Sequence, residues 1–551
     1  MNKSLLLLLA GLLAIPSFAQ ENNTSVTLTA TVQRPKLVVG IVVDQMRWDY
    51  LYRYYNRYAA TGGFKRLLGN GFSCENTLIP YTPTVTAAGH ASVYTGSVPA
   101  IHGITGNGWW DYNFNQTVYC TSDDNVKTVG SNSDQGQMSP ANLLTTTIGD
   151  ELRIATNFRS KVIGIAIKDR SAILPAGHGA NAAYWYDNTT GDWITSSFYM
   201  EELPQWATAF NEKKMVDKYY KQDWNTLYPL SSYEQSTRDE QAYENKPFGG
   251  AGKGFPYSLS KFAGKNYGLL PVTPYGNSFT FEMAKAALTG EQLGADSIPD
   301  LLAVSLSSPD YIGHTFGPNS VEAEDGFLRL DADIADFLNF LDEKVGKDQY
   351  LVFLSADHGV ANVPTFLKEH KIPAGNMDYE KMIDDINKSL KQKFKAEKLV
   401  LDIINYQVYL NRNTINEKQL SKETIYATVI NLLQQQPGIS RAFALDALNA
   451  TTLNATIKEV IANGYYPLRC GDIQIILEPQ WIDGFLQGGT THGVWNPYDA
   501  HIPLIWYGWG IRSGKTNRET YMTDIAPTIA AMLHIQMPGG SIGHVIEEAA
   551  K

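Results

Sequence analysis

Short runs of apolar residues recur along the chain, and most of them end directly in polar side chains. The clearest runs are KLVVGIVVD, KVIGIAIKDR, DLLAVSLSSPDYIGH, QYLVFLSADHG and HIPLIWYGWG. Because they are continuously apolar, they indicate strands buried on both faces, as in a parallel sheet covered by helices. Helical patterns lie between them, such as VEAEDGFLRLDADIADFLNFLDEKVG and TDIAPTIAAMLHI. The alternation predicts an α/β fold with a mainly parallel central sheet, flanked by helices on both faces.

Two long regions fit this alternation poorly. Residues 112–290 are rich in Tyr, Trp, Asn and Gly, and residues 365–485 mix amphipathic helices with strands. The residues with candidate chemistry are scattered from Asp44 to His492, and chemistry requires them to lie close together. We therefore predict one catalytic domain over residues 34–551, with two inserted cap regions at about 112–290 and 365–485.

The N-terminus has the pattern of a secretory signal peptide. Lys3 precedes an apolar stretch over residues 5–15, and a small-x-small site follows at residues 17–19. The apolar stretch is shorter than the ~20 residues that a membrane span needs. We predict a signal peptide over residues 1–19, a polar linker over residues 20–33, and export to the periplasm or beyond, without stable membrane association.

Charge and cysteine content narrow the classes of function. The net charge is −11 and no Lys/Arg-rich run stands out, which argues against nucleic-acid binding. An acidic protein that acts on anionic substrates needs local positive charge, from metal ions or from a few well-placed cations. Cys74, Cys120 and Cys470 are odd in number and widely spaced, so they form no disulfide framework, although one bridge plus a free thiol is compatible with them.

Carboxylates and imidazoles follow the predicted strands. They are Asp44, Asp310, His314, Asp357, His358 and His492. Ligands of open α/β sheets bind beyond the carboxyl ends of the strands, and this mixture of nitrogen and oxygen donors suits zinc. The four-residue spacing in PDYIGH lets Asp310 and His314 face one point if the chain turns helical there. Any one of the six could be a helix cap or a structural histidine, but together they predict two metal ions with three ligands each.

The segment YTPTVTAAGHASVYTG contains a candidate nucleophile. Pro83 favours an extended Thr82, and the small residues further on favour a helix start at or just after Thr86. Thr84 is expected in extended chain. The free N–H groups and the dipole of a helix start favour an anionic phosphoryl group. The residues alone leave Thr86 open between a metal-activated nucleophile and a simple N-cap.

Six segments taken together closely resemble the PafA-type alkaline phosphatases. They are RPKLVVGIVVDQMRWDYLYRYY, YTPTVTAAGHASVYTGSVPAIHGITGN, IKDRSAILPAGH, DYIGHTFGPNS, FLSADHG and GTTHGVWN with DAHIPL. The resemblance implies an alkaline-phosphatase-like fold and an exported, single-chain enzyme with two zinc ions, which we expect to be a monomer. It also implies hydrolysis of a broad range of small-molecule phosphate monoesters through a covalent phospho-threonine.

The resemblance further implies roles for individual residues. One zinc ion would be bound by Asp310, His314 and His492, and the other by Asp44, Asp357 and His358 together with the oxygen of the nucleophile Thr86. Asn107, Lys168 and Arg170 would contact the phosphoryl oxygens. From the residues alone, Asn107 could equally be a turn residue, and His90 is expected to be structural.

Lys168 and Arg170 decide between two reactions. The two residues are two apart on a predicted strand, so we expect them to point the same way. A monoester carries an additional negative oxygen, and two cations aimed at it would favour monoesters over diesters. The nearest alternative is a phosphodiesterase or nucleotide pyrophosphatase of the same superfamily, which keeps the metal site but lacks this pair. A non-catalytic phosphate-ester binding protein is a further alternative, against which the complete ligand set argues.

Overall fold

A ten-stranded mixed sheet runs through the structure, a computed structural model that describes residues 33–249, 254–484 and 488–551. In sheet order its strands are β20 (Gly514–Tyr521), β2 (Phe72–Leu78), β19 (His501–Gly508), β12 (Tyr350–Ser355), β1 (Leu37–Val43), β11 (Asp300–Leu306), β6 (Val162–Ala166), β7 (Ala182–Tyr186), β8 (Trp193–Ser196) and β5 (Thr128–Val129). The predicted signal peptide, and the predicted linker up to residue 32, lie outside the described residues.

The centre of the sheet is parallel and its flanks are mixed. Strands β12, β1, β11, β6 and β7 pair in parallel, as predicted. Strand β19 runs antiparallel to both of its neighbours, β12 and β2, and β8 runs antiparallel to β7. Every residue of β1 is buried, and successive side chains of a strand point to opposite faces, so both faces of the sheet are covered.

Helices of the central domain flank this sheet, and two others, Tyr379–Phe394 and Lys422–Gln434, pack instead against the second sheet described below. In chain order the helices are α1 (Tyr50–Arg53), α2 (Gly63–Asn70), α3 (Thr86–Thr95), α4 (Pro99–His102), α5 (Ile148–Ala155), α6 (Asp169–Ala176), α7 (Gln205–Glu212), α8 (Met215–Tyr220), α9 (Tyr275–Gly290), α10 (Ser308–Phe316), α11 (Val321–Leu341), α12 (Pro364–Glu369), α13 (Tyr379–Phe394), α14 (Arg412–Glu417), α15 (Lys422–Gln434), α16 (Ala455–Gly464), α17 (Pro497–Ala500) and α18 (Ile525–Leu533). Helices α11 and α18 occupy the two segments whose patterns predicted helices. In the part of the chain that the structure describes, no helix combines the length and apolarity needed to cross a membrane.

A second, four-stranded sheet lies within the range 365–485. Its strands, in order, are β14 (Val400–Ile404), β15 (Gln407–Leu410), β17 (Ile473–Leu477) and β16 (Ile439–Ala444), all antiparallel, with a hydrophobic core of their own. The range 112–290 differs, because β5, β6, β7 and β8 within it pair into the main sheet. The remaining strands form two-stranded ribbons: β3 (Gly108–Asp111) with β4 (Gln116–Tyr119), β9 (Asp223–Trp224) with β10 (Tyr257–Ser258), and β13 (Gly375–Met377) with β18 (Trp481–Asp483).

The strand register brings several chain segments to one edge of the main sheet. Val43 at the end of β1 lies opposite Leu306 at the end of β11, and Val42 lies opposite Ser355 at the end of β12. The segments after these three strands therefore start side by side. Because β19 is antiparallel, its beginning, not its end, lies at this edge, and the loop that precedes it comes here too. The three cysteines take no part in disulfides and are buried.

Candidate active site

Thr86 begins the buried helix α3 at this edge of the sheet. Val85 before it has an extended backbone, with φ −132° and ψ 157°, so Val85 is the capping residue and Thr86 the first helical residue. Thr84 lies before the helix, and its hydroxyl donates to Val494 O at 2.8 Å. The Thr86 hydroxyl does not cap the helix; its Oγ1 lies 3.4 Å from Nε2 of His358, and the residue is 1% exposed.

Asn107 lies beside the start of α3, in the bend before β3. Its Oδ1 accepts the N–H of Ala87 at 2.9 Å. Because this oxygen is engaged, the Nδ2 hydrogens are the groups that remain to donate to a ligand at the helix start. The helix start itself favours an anion through its N–H groups and dipole. A donor is thus in place for the contact with a phosphoryl oxygen that the resemblance implies for Asn107.

Three imidazoles near Thr86 share one hydrogen-bond pattern. In each ring Nδ1 lies 2.7–2.9 Å from a backbone carbonyl oxygen: that of Thr490 for His314, of Gly359 for His358, and of Thr84 for His492. A carbonyl oxygen can only accept, so each Nδ1 carries a proton, and in the neutral ring Nε2 is then the nitrogen with the lone pair. This is the tautomer that a histidine needs to bind a metal through Nε2.

One carboxylate oxygen lies between two of these rings. Asp310 and His314 are four residues apart on α10, and this spacing brings Oδ1 of Asp310 to 3.1 Å from Nε2 of His314. Nε2 of His492 lies 3.6 Å from the same oxygen. The loop before β19 supplies His492, which explains how a residue so distant in sequence reaches α10.

Two further carboxylate oxygens converge on the third ring. Oδ1 of Asp44 and Oδ2 of Asp357 each lie 3.5 Å from Nε2 of His358. Both oxygens are buried; Oδ1 of Asp44 has no hydrogen-bond donor among the described residues, and Oδ2 of Asp357 has only the Nδ1 of His90 nearby, at 3.3 Å and outside hydrogen-bond geometry. Buried carboxylate oxygens without donors are costly unless a cation compensates them. This arrangement therefore fits a bound cation between Asp44, Asp357 and His358.

Within the described residues, two sets of side chains have all their ligand atoms within 4.8 Å of one another. They are Asp310, His314 and His492, and Asp44, Asp310 and His358. The first is the set that the resemblance implies for one zinc ion. The second set differs from the implied one, because it contains Asp310 in place of Asp357. Oδ2 of Asp357 nevertheless lies 3.5 Å from Nε2 of His358. Mixed imidazole and carboxylate donors with free Nε2 lone pairs suit zinc, so these residues fit the two implied ions.

The three rings differ in their electrostatics. Burial alone would lower the pKa of His314, but the adjacent carboxylate of Asp310 raises it above the usual histidine value. The rings of His358 and His492 stack with their centroids 3.5 Å apart. Burial lowers the pKa of both imidazoles below the usual histidine value, and for His492 the neighbouring His358 and His314 lower the pKa further. Both rings are consequently neutral at neutral and alkaline pH, as metal coordination requires.

Lys168 and Arg170 do not lie on a strand, so the geometric reason given for them from sequence is wrong. Strand β6 ends at Ala166, Lys168 directly precedes α6, and Arg170 lies in its first turn. Lys168 Nζ donates to Oδ2 of Asp44 at 2.7 Å and to Oδ2 of Asp310 at 2.6 Å. Burial alone would lower the pKa of Lys168, but the two carboxylates raise it above the usual lysine value.

The environment of Arg170 was not anticipated from sequence. Its guanidinium donates to the hydroxyl oxygen of Tyr119 at 3.0 Å, and that hydroxyl donates to Asp169 at 2.8 Å. Tyr119 ends β4, and nothing in its sequence surroundings marks it.

His90, which is expected to be structural, lies within the same helix as Thr86. Its ring nitrogens lie 2.9 Å from Thr86 O and 2.7 Å from Ser305 Oγ. Its Nδ1 also lies 3.3 Å from Oδ2 of Asp357.

Gln45 is a second residue that the sequence analysis misses. Its side-chain Nε2 donates to Oδ1 of Asp310 at 2.6 Å, and its backbone N–H donates to Oδ1 of Asp357 at 3.1 Å. The available signal was its position directly after Asp44. Without the strand register, however, that position does not reveal that both other carboxylates lie within reach.

Several known proteins are similar to this chain in sequence and in fold. Residues 38–494 match the family model of type I phosphodiesterases / nucleotide pyrophosphatases. The chain is 52% identical to alkaline phosphatase PhoV of Synechococcus elongatus, covering 100% of both chains. It is 53% identical to a protein of Myroides odoratus named calcium-transporting ATPase, covering 95% of this chain and 96% of that one. The crystal structure of wild-type alkaline phosphatase PafA matches with a TM-score of 0.93 at 48% identity, over 94% of this chain and 100% of that one.

Proposed function

The chain belongs to the type I phosphodiesterase / nucleotide pyrophosphatase family, and from that premise we propose that it is an alkaline phosphatase. It hydrolyses a broad range of small-molecule phosphate monoesters as a monomer, with two zinc ions and a covalent phospho-threonine at Thr86. The full-length similarity to named alkaline phosphatases supports the activity. The relative named as an ATPase is compatible with it, because ATP hydrolysis also transfers a phosphoryl group to water. The pattern of residues 1–19 supports export to the periplasm.

The observation that carries the proposal is the convergence of metal-ligand atoms beside a helix-start hydroxyl. Nε2 of His358 lies 3.4 Å from Oγ1 of Thr86 and 3.5 Å from carboxylate oxygens of Asp44 and Asp357. His358 in turn stacks on His492, which belongs to the other set of ligands. A nucleophile, two candidate metal sites and an anion-favouring helix start thus share one small volume.

The chemistry follows from these positions. Two zinc ions bound at the two sets would supply Lewis-acid stabilisation of the attacking and leaving oxygens. Thr86 Oγ1 forms a bond to phosphorus while the bond from phosphorus to the alcohol oxygen breaks; the hydroxyl proton passes to solvent, and the departing alcohol oxygen takes up a proton from solvent. Water then attacks the phosphorus of phospho-Thr86 and the bond to Oγ1 breaks. One proton of that water restores the Thr86 hydroxyl through solvent, the other stays on the phosphate, and phosphate is released. The transition state is loose, so positioning and charge stabilisation account for most of the catalysis.

Three side chains orient the phosphoryl group in this proposal. Asn107 donates from Nδ2, since its Oδ1 is engaged by Ala87 N–H. Lys168 and Arg170 supply positive charge on the side of the carboxylates Asp44 and Asp310, which Lys168 contacts directly. A monoester presents one more negative oxygen than a diester, so this pair favours monoesters. The alternative, a phosphodiesterase of the same family, needs the metals and Thr86 but not the cation pair.

The decisive experiment compares a monoester with its matching diester. We would measure kcat/KM for an aryl phosphate monoester and the corresponding diester, in zinc buffer at alkaline pH. We expect the wild-type protein to prefer the monoester strongly. The double variant Lys168→Ala with Arg170→Ala should lose roughly 10²-fold or more on the monoester, the scale of removing a charge-stabilising contact, and much less on the diester.

A matched control removes one lysine and one arginine elsewhere. Lys515 on β20 and Arg441 on β16 are both exposed, so Lys515→Ala with Arg441→Ala should leave both values of kcat/KM unchanged. A diester preference of the wild-type protein would identify a phosphodiesterase instead. Equal losses on both substrates in the Lys168 and Arg170 double variant would remove the cation pair as the source of selectivity.

A further inference from the structure

Gln45 occupies a strained backbone position next to the ligand Asp44. The N–H of Met46 donates to the carbonyl of Val43 at 3.2 Å, so Asp44 and Gln45 are the central residues of a tight turn at the end of β1. The φ angle of Gln45 is +66°, in the left-handed region that is unfavourable for a non-glycine residue. The residue is 2% exposed. A buried non-glycine residue keeps such a conformation only where surrounding contacts stabilise it.

Those contacts join Gln45 to one carboxylate of each candidate metal site. Nε2 donates to Oδ1 of Asp310 at 2.6 Å, and the backbone N–H donates to Oδ1 of Asp357 at 3.1 Å. An ionised carboxylate only accepts hydrogen bonds, so the amide nitrogen, not the amide oxygen, must face Asp310. A single residue therefore connects α10 to the segment that follows β12.

The bonds select which carboxylate oxygens face the histidines. Oδ1 of Asp310, which accepts from Gln45, is the oxygen that lies closest to His314 and His492. On Asp357 the opposite applies: Oδ1 accepts from the backbone N–H groups of Gln45 and His358, which leaves Oδ2 to face Nε2 of His358. Gln45 thus constrains the rotation of both carboxylates.

Gly313 provides the space for the Gln45 amide. A Cβ atom at residue 313 would lie 1.8 Å from Oε1 of Gln45, which is far inside van der Waals contact. Gly313 is in the interior of α10, between Asp310 and His314, where glycine is less favourable to the helix than alanine. The helix therefore carries a destabilising residue at a position where a side chain would displace Gln45.

We infer that Gln45 is a positioning residue that fixes the orientation of the carboxylates of Asp310 and Asp357, and thereby the relative placement of the two metal sites. This inference rests on the proposed function, because it requires both carboxylates to bind metal. Groups that orient metal ligands typically change metal affinity or activity by 10- to 100-fold when they are removed. A residue with a purely structural role would change stability but not zinc affinity.

The first test measures zinc binding directly. Gln45→Met keeps the length of the side chain but removes the amide donor. We expect its zinc affinity, measured by competition with a chromogenic chelator, to fall roughly 10- to 100-fold at one or both sites. Circular dichroism and thermal unfolding of the same preparation check that the variant is folded.

A double-mutant cycle with Gly313 gives a second, independent test. Gly313→Ala should weaken zinc binding in the wild-type background, because the new methyl group displaces the Gln45 amide. In the Gln45→Ala background the same change should have no further effect on zinc affinity, since the clashing side chain is gone. This non-additivity is specific for the contact between the two residues. Additive effects on zinc affinity would overturn the inference.

Gln407→Met is the matched control. Gln407 is also a buried, hydrogen-bonded glutamine, 4% exposed, but it lies in the second sheet and contacts Gly471 and Gln474. Its replacement should leave zinc affinity unchanged. If Gln45→Met binds two zinc ions with the affinity of the wild-type protein, the inference is overturned and the proposed function still stands. A wild-type protein that takes up no zinc would overturn the proposed function and this inference with it.

Discussion

Lys168 offers a quantitative test of the electrostatics at the site. Its ammonium group lies 2.7 Å from Oδ2 of Asp44 and 2.6 Å from Oδ2 of Asp310, and the residue is only 5% exposed. Lys168→Met preserves the shape of the side chain and removes the charge. The two carboxylates then face each other in a buried environment without the cation that separates them.

The expected loss of stability follows from these distances. At an effective dielectric constant near 20, one contact of this length has a gross attraction of about 6 kcal/mol. Desolvation of the three charged groups offsets much of that attraction, and removing one partner of a buried ion pair costs roughly 3–5 kcal/mol net. We expect a loss of this size in chelator. In zinc buffer the loss should be clearly smaller, because bound cations compensate the same carboxylates.

The assay is chemical unfolding followed by tryptophan fluorescence, in chelator and in zinc buffer. Lys285→Met is the matched control, since Lys285 also contacts two carboxylates, but Asp336 is largely exposed and Glu282 is partly exposed. Exposed pairs contribute about 0–1 kcal/mol, so this variant should lose less than ~1 kcal/mol in either buffer. Equal losses for Lys168→Met in chelator and in zinc would refute the argument that zinc and lysine compensate the same charges.

Two further outcomes follow from the proposed chemistry. Chelation should abolish phosphatase activity, and added zinc should restore it. Magnesium alone should not restore it, because three imidazole donors do not suit a cation that prefers oxygen ligands. Recovery with magnesium would contradict the zinc assignment. Thr86→Ala should lose roughly 10³-fold or more in turnover, since Thr86 supplies the nucleophile. It should keep its zinc content, because the six metal-ligand side chains remain. Turnover close to that of the wild type would show that the nucleophile lies elsewhere.

The sequence predicted the parts of the site that depend on local spacing. Asp44 and Asp357 were identifiable because Asp44 directly follows an apolar strand and Asp357 comes two residues after the end of another, and parallel strands end at a common edge of the sheet. The pairing of Asp310 with His314 depends only on helical periodicity. The chain direction of β19 could not be predicted, since a buried apolar strand has the same composition in either direction.

The parts that sequence reasoning missed depend on register or on helix boundaries. Lys168 and Arg170 were placed on a strand because IGIAIK is continuously apolar up to the lysine, yet the strand ends at Ala166 and a helix begins at Asp169. Gln45 could not be identified, because its partners are 265 and 312 residues away in sequence. Only the alignment of β1 with β11 and β12 brings them together.

The second sheet is tied to the site by the turn between its strands β14 and β15. The two turn residues, Asn405 and Tyr406, have φ angles of +54° and +62°. Asn405 Nδ2 donates to the carbonyl of Gly108 at 3.0 Å, directly after Asn107, and the Tyr406 hydroxyl donates to the carbonyl of His492 at 3.2 Å. One turn thus contacts both the loop that presents the candidate phosphoryl donor and the loop that presents a candidate metal ligand. These two loops come from distant parts of the chain, so their relative position depends on the folding of the 365–485 region that supports both. That region therefore does more than cover the site: it also holds two of the site's loops in place.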